Sequence, residues 1–170
     1  DALPIFPADT PGIEIIRNVE GHHAYMRYDN VRVPADHILG GRGEAFLVAQ
    51  TRLGGGRIHH AMRTVGLVRH SLDLMCRRAL SRHTQGEQLA NKQLVQSAIA
   101  ESWCEMEGFR LLVLQTAWKI DKYGDYKRVR GDVSAIKAMM PRVLHNVASR
   151  ALQLHGSIGV SDEMPFLGYI

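Results

Sequence analysis

Residues 58–75 read Ile58-His59-His60-Ala61-Met62-Arg63-Thr64-Val65-Gly66-Leu67-Val68-Arg69-His70-Ser71-Leu72-Asp73-Leu74-Met75. Within this stretch Ile58, Ala61, Met62, Val65, Val68, Leu72 and Met75 recur at steps of three and four, the spacing that lines one face of an α-helix. The same phase reappears downstream in Val95, Ile99, Ser102, Met106, Phe109, Val113, Ala117 and Ile120. It appears a third time in Val133, Ile136, Met140, Val143, Val147, Ala151 and Leu154. Breaks fall at Gly86 with its polar neighbours and across Gly124 to Gly131. The reading is three helices of roughly 25 to 38 residues, or about 40 to 55 Å each. Long helices joined by short links pack as an up-and-down antiparallel bundle. A fourth helix is expected to begin near Asp162.

Two features strain this reading. Gly54, Gly55 and Gly56 sit where the first helix should be continuous, and each costs about 1 kcal/mol against alanine. Either the helix begins after them, or something approaches the backbone closely there. Pro141 lies inside the third helix, where a proline costs about 3 kcal/mol. The apolar phase nevertheless runs through it, so one kinked helix is expected rather than two.

Upstream of Glu44 the chain changes character. Pro4, Pro7, Pro11 and Pro34 punctuate short β-type runs. Ile13 to Val19, His23 to Tyr28 and Val31 to Val33 read as strands, with Asp29-Asn30 as turn material. So few strands make a poor sheet by themselves. The fold class is therefore mostly α. Residues 41–170 form the helix bundle, and residues 1–40 supply a few strands of an incomplete β domain.

Composition narrows the function classes. With 45% hydrophobic and 22% charged residues, the 170-residue chain is an ordinary globular sequence. Its net charge of +4 is spread along the chain. The stretch holding Lys127, Arg128 and Arg130 is too short to argue for nucleic acid and reads as a solvated helix end or loop. Mild basicity would suit an anionic ligand such as a nucleotide without demanding one. Cys76 and Cys104 lie in helix-like stretches, outside any disulfide framework, which points to a reducing compartment and not to secretion. No apolar run approaches the roughly 20 residues of a membrane span. The histidines include two adjacent pairs, His22-His23 and His59-His60, whose side chains do not converge, so no metal site is expected.

Four stretches carry a more specific signal. The first is Asp9-Thr10-Pro11-Gly12-Ile13 followed by Tyr28-Asp29-Asn30-Val31-Arg32-Val33-Pro34-Ala35. The second pairs Arg57 with Gly66 on the first helix. The third is Arg82-His83-Thr84-Gln85-Gly86, with Gln93 and Trp118 beyond it. The fourth is Gln153-Leu154-His155-Gly156-Ser157-Ile158-Gly159. In this order and spacing they resemble, end to end, the carboxyl-terminal part of the acyl-CoA dehydrogenase family. The third is similar to that family's arginine-x-x-phenylalanine-glycine turn between helices, and the fourth to its glutamine-x-histidine-glycine-glycine-x-glycine turn.

The resemblance implies a flavin-dependent oxidoreductase of fatty acid metabolism that dehydrogenates acyl-CoA thioesters and passes hydride to FAD. In the family the turn between the first two helices reaches the FAD of a neighbouring subunit. Arg82 would then fork onto the pyrophosphate, as guanidinium groups do, with Thr84 beside it as a hydroxyl donor and Gln93 as an amide partner. Gln85 stands where the family usually has phenylalanine, which alters the apolar packing on the adenine. Gln153, Leu154, His155, Gly156 and Ser157 would offer backbone and small side chains to a second stretch of the dinucleotide, glycine permitting close approach. Arg57 would face the acyl-CoA. Taken alone, Arg82 reads as a solvent-facing residue at a helix end, Gly156 as a helix stop and Arg57 as an ion-pairing residue.

The catalytic glutamate of the family, counted from Gly156, falls past Ile170. Some members place the base just before the position of Arg57, where this sequence has Gly56, which cannot act as one. No catalytic residue is therefore expected in this chain, and on its own it is expected to be inactive. The acidic residues Glu44, Glu87, Glu101, Glu105, Glu107 and Glu163 read as solvated or ion-paired. The resemblance further implies dimers or tetramers of the chain, an electron-accepting flavoprotein as partner, and a cytoplasmic location in a bacterium or a mitochondrial or peroxisomal one in a eukaryote. Two alternatives remain: a same-fold flavoprotein with oxidase or monooxygenase chemistry, since fold does not fix reaction, and a non-catalytic helical assembly module.

Overall fold

The computed structural model describes residues 3–20 and 23–170; His22, half of one adjacent histidine pair, lies outside them. The chain divides into two units, Asp1–Leu53 and Gly54–Ile170.

In the first unit, β2 (Ile13–Val19) pairs antiparallel with β3 (His23–Tyr28), and β1 (Leu3–Pro4) pairs with β4 (Ile38–Leu39). The β2–β3 ladder is irregular between Ile15 and Arg17. Ile15, Ile16, Tyr25 and Tyr28 are all more than half exposed. A hairpin bare on both faces lacks the third strand or covering helix that independent stability needs. The strand expected at Val31 to Val33 does not form. Those residues join no strand among the described residues and run into Pro34, which has no N–H to donate. A short 3₁₀ turn at Ala35–His37 follows instead.

In the second unit three helices follow the expected phase. α1 spans Ala45–Ser81, α2 spans Gln93–Tyr123 and α3 spans Arg130–His155. Between α1 and α2 lies a small hairpin of β5 (His83–Thr84) and β6 (Glu87–Gln88). One core joins all three helices: Ala61, Val65, Val68 and Leu72 from α1, Met106, Phe109 and Val113 from α2, and Ile136, Val143 and Val147 from α3. The polar pairs between α2 and α3 fix an antiparallel register. Lys119 meets Asp132 at 2.7 Å, Glu105 accepts from Asn146 at 3.1 Å, and Arg150 reaches Glu101 at 3.1 Å and Glu105 at 2.8 Å.

The fourth helix expected near Asp162 is absent. That segment turns instead, with a 3₁₀ turn at Phe166–Gly168 following Pro165. Phe166 is fully buried against Met75 and Ala151, and the Tyr169 hydroxyl meets His70 Nδ1 at 2.9 Å. Anchoring of this kind holds the segment without helical hydrogen bonds.

Both straining features are resolved. α1 runs unbroken through Gly54, Gly55 and Gly56. A Cβ on Gly54 would fall 2.6 Å from the Tyr126 hydroxyl oxygen, whereas one on Gly55 or Gly56 would meet nothing within 4 Å. Close approach therefore explains the first glycine only. Gly54→Ala should cost about 1–3 kcal/mol by overpacking, and Gly55→Ala should gain about 1 kcal/mol of helix propensity. Urea midpoints moving in opposite directions would bear this out; a shift of the same sign in both would refute it. α3 likewise continues through Pro141. Pro141 and Lys137 are both exposed, so water can satisfy the Lys137 carbonyl that the missing N–H leaves open.

Candidate functional site

Two of the segments singled out in the sequence meet at one end of the bundle. The first begins where α1 stops. The Arg82 N–H donates to the Arg78 carbonyl at 3.0 Å, and the Arg82 carbonyl accepts from the Leu89 N–H at 2.9 Å. Gln88 Nε2 donates to the Leu80 carbonyl at 3.0 Å, folding the hairpin back on the helix end. The turn residues Gln85 and Gly86 both have positive φ, 54° and 83°, the geometry that a two-residue hairpin prefers. Gln85 Oε1 accepts from Lys92 Nζ at 3.2 Å, and Lys92 also pairs with Glu87 at 3.1 Å. The turn is thereby tied to the start of α2, where Gln93 is exposed. Thr84 is half-buried, and Arg82 is exposed with no side-chain partner among the described residues.

The second segment closes α3. The Gly156 N–H donates to the Gln153 carbonyl, and Gly156 adopts φ 67° and ψ −141°, a region side chains with a Cβ rarely enter. Gly159 packs against the Leu152 carbonyl so closely that a Cβ would collide with it. Gln153, Gly156 and Ser157 are exposed and Leu154 is half-buried. His155 differs. Its ring is buried, Nδ1–H donates to the Ala151 carbonyl at 2.7 Å, and the ring lies 4.9 Å from that of Phe166. The His155 side chain is thus held to the core through Nδ1 and its ring face.

Burial holds the His155 imidazole below its ordinary pKa of 6.5, with the Arg78 charge adding to the effect against the Ala151 hydrogen bond. A histidine whose folded pKa is lowered contributes stability that is complete above the unfolded value and is lost as pH falls through the folded one. The bundle should therefore weaken from neutral to mildly acidic pH, and less steeply in His155→Gln. Equal slopes for the two proteins in urea titrations would contradict this.

Arg78 joins the segments: its Nη2 donates to the His155 carbonyl at 3.3 Å. No motif pointed to this residue in the sequence; its only signal was its place one helical turn before Arg82. Arg57 lies elsewhere. It lies on α1, 25 positions before Arg82 at the helix's end, about 38 Å along the helix axis. Its charge acts on Tyr126, whose hydroxyl is buried without a hydrogen-bond partner among the described residues and whose pKa is raised by burial. A single copy of the chain thus does not bring Arg57 and Arg82 to one point.

The exposed donors at the α1–α3 end are a guanidinium, side-chain amides and a hydroxyl, beside a glycine turn. Such a set fits the diphosphate and polar edges of a dinucleotide such as FAD. In the helical unit, Glu87 pairs with Lys92, Glu101 and Glu105 with Arg150, and Glu107 with Arg110; in the first unit Glu44 accepts from the Gly41 N–H. Gly56 is exposed on α1. No group of three or more metal-ligating side chains occurs among the described residues. An apolar groove between α1 and α2, lined by Leu72, Cys76, Ile99, Trp103 and Cys104, lacks charged groups, and burial raises the Cys76 thiol pKa.

Comparison with known proteins places the fold. Residues 41–170 match the family model for the acyl-CoA dehydrogenase C-terminal domain. "Probable acyl-CoA dehydrogenase FadE2" of Mycobacterium tuberculosis is 44% identical over 171 residues, covering 96% of this chain and 42% of the relative. A structure from Mycobacterium abscessus, provisionally assigned as an acyl-CoA dehydrogenase, superposes with a TM-score of 0.90 at 38% identity, covering 99% of this chain and 43% of its own. Butyryl-CoA dehydrogenase from Megasphaera elsdenii gives a TM-score of 0.82 at 26% identity, over 98% and 44% of the two chains. The chain thus spans less than half the length of each of these proteins.

Proposed function

This chain belongs to the acyl-CoA dehydrogenase family, and from that premise we propose that it forms the cofactor-side and subunit-side part of a flavin enzyme that α,β-dehydrogenates acyl-CoA thioesters. The observation that carries the reading is the exposed Arg82 guanidinium, without a side-chain partner among the described residues, at the same bundle end as the Gln153–Ser157 turn.

When bound, FAD supplies the hydride acceptor. The work of this chain's residues is to hold it. Arg82 neutralises and orients the diphosphate, which a forked guanidinium does better than a point charge. Thr84, Gln85 and Gln93 supply polar contacts along the same edge, and Gln153, Gly156 and Ser157 supply a second edge, with Leu154 and His155 shaping the turn between them. Arg57 faces the acyl-CoA substrate. With Gly56 before Arg57, the proton acceptor comes from another part of the protein.

The roughly 38 Å between Arg57 and Arg82 favours a site shared between copies, Arg82 of one serving the cofactor of the next. The outer face of α2 supports such an assembly: Leu111, Leu114 and Trp118 are exposed at 57%, 43% and 55%. A surface that apolar on one helix suits a dimer or tetramer interface. The reading carries with it an electron-accepting flavoprotein as redox partner. It also implies a site of action inside the cell: cytoplasmic in a bacterium, mitochondrial or peroxisomal in a eukaryote.

The test is to purify the full-length protein and assay it for bound flavin by visible absorption and by release of FAD on denaturation. Stoichiometric FAD is expected. A folded protein that neither retains nor takes up FAD would favour a non-catalytic assembly module instead.

A further inference from the structure

Arg78 is half-buried near the end of α1. Its Nε is buried with no hydrogen-bond partner among the described residues, and its one side-chain bond is the 3.3 Å contact to the His155 carbonyl. Charge-assisted hydrogen bonds usually run shorter, about 2.7–2.9 Å. A buried guanidinium N–H left unpaired is costly. A helix C-terminus favours a nearby cation, but that alone would be served as well by a solvated lysine at the rim.

The bond's position shows what else the residue does. The His155 carbonyl and the Gly156 N–H belong to one planar peptide unit. Arg78 holds the carbonyl side of that plane, and the Gln153 carbonyl holds the N–H side. The plane is pinned immediately before Gly156, whose φ of 67° and ψ of −141° aim everything that follows. The backbone of the same arginine anchors the other segment, because the Arg78 carbonyl accepts the Arg82 N–H at 3.0 Å. One residue therefore ties down both the arginine hairpin and the glycine turn.

We infer that Arg78 is a positioning residue that sets the Gln153–Ser157 turn in register with Arg82, so that both present their donors to the same dinucleotide. This inference rests on the flavin reading above. It requires no contact between Arg78 and the cofactor.

The experiment compares Arg78→Gln, Arg78→Lys and Arg82→Gln in the full-length protein with two readouts. Amide hydrogen exchange is measured first on the flavin-free protein. At Gly156 to Gly159 it should quicken by about tenfold or more in Arg78→Gln, and less in Arg78→Lys, with the Val65 to Val68 amides unchanged. FAD affinity, followed by flavin fluorescence, should weaken by about tenfold or more in Arg78→Gln, with the acyl-CoA KM unchanged. Unaltered exchange at the turn in a folded Arg78→Gln protein overturns the inference. So does quickened exchange with FAD affinity within about twofold of the parent, because Arg78 would then be structural only. If Arg82→Gln alone weakens FAD binding, the positioning role fails and the flavin reading stands; if neither variant does, the flavin reading fails as well. Should Arg78→Gln not fold, Arg78→Lys carries the same comparison, since it keeps the charge and loses the fork.

Discussion

Phe109→Ala should lower the unfolding free energy of the bundle by about 3–5 kcal/mol. Phe109 is 1% exposed and sits among Val65, Val68 and Leu72 of α1 and Ile136, Val143 and Val147 of α3. Truncation removes a ring that touches both neighbouring helices, and three long helices locked by a common core cannot close the space by moving one side chain. A domain of this size has a total stability of about 5–15 kcal/mol. The loss should appear as a fall in Tm of roughly 10 °C or more. Phe109→Leu keeps most of the volume and should cost about 1.5 kcal/mol or less. On the same helix, Leu111→Ala removes an exposed side chain and should change monomer stability by about 0.5 kcal/mol at most. Equal losses at 109 and 111 would mean that the buried face of α2 is not the one described here.

That contrast also indicates what periodicity could convey. The steps of three and four through Val65, Val68, Leu72, Met106, Phe109, Ile136, Val143 and Val147 marked residues that are buried. The signal is strong because a long helix repeats its face many times. Met62 kept the phase yet is 38% exposed, since the edge of an apolar stripe is set by neighbouring helices and not by the helix itself. Gly54 could be read only as an either-or. The residue that fills its notch, Tyr126, is 72 positions away and belongs to no periodic pattern. The fourth helix near Asp162 was misread because a short segment anchored by Phe166 and Tyr169 needs no regular hydrogen bonding.

The candidate site was legible in part, for similar reasons. Arg82 and the glycine turn stand out as motifs because their chemistry is local. The orientation of His155 is not local. Its ring turns inward to Phe166 and the Ala151 carbonyl, and nothing adjacent in the sequence specifies that. Arg78 was invisible for the same reason, since its importance comes from a carbonyl on another helix. The β5–β6 hairpin was read only as a turn: glutamine at position 85 is an unusual occupant of left-handed backbone, so it announces no hairpin.

Arg82→Gln should weaken FAD binding by the full-length protein about tenfold to a hundredfold, the effect of losing a charge-assisted contact to phosphate worth roughly 1.5–3 kcal/mol. The exposed Arg82 side chain has no internal partner among the described residues, so the substitution leaves no buried group unsatisfied, and Tm without flavin should stay within about 2 °C of the parent. Arg82→Lys should recover only part of the affinity, because an ammonium lacks the forked geometry. Loss of flavin with an unchanged apoprotein melt separates a cofactor contact from a structural one. An unchanged flavin affinity in Arg82→Gln would remove the residue from the cofactor site.

The most direct test of the central claim is anaerobic mixing of the flavin-loaded full-length protein with saturated acyl-CoA thioesters of graded chain length, followed through the flavin's visible absorption band. Bleaching of that band by at least one of the thioesters, with formation of the α,β-unsaturated thioester, is the predicted result. A flavin that binds but is bleached by none of them, while reacting with another substrate class, would contradict the dehydrogenase assignment.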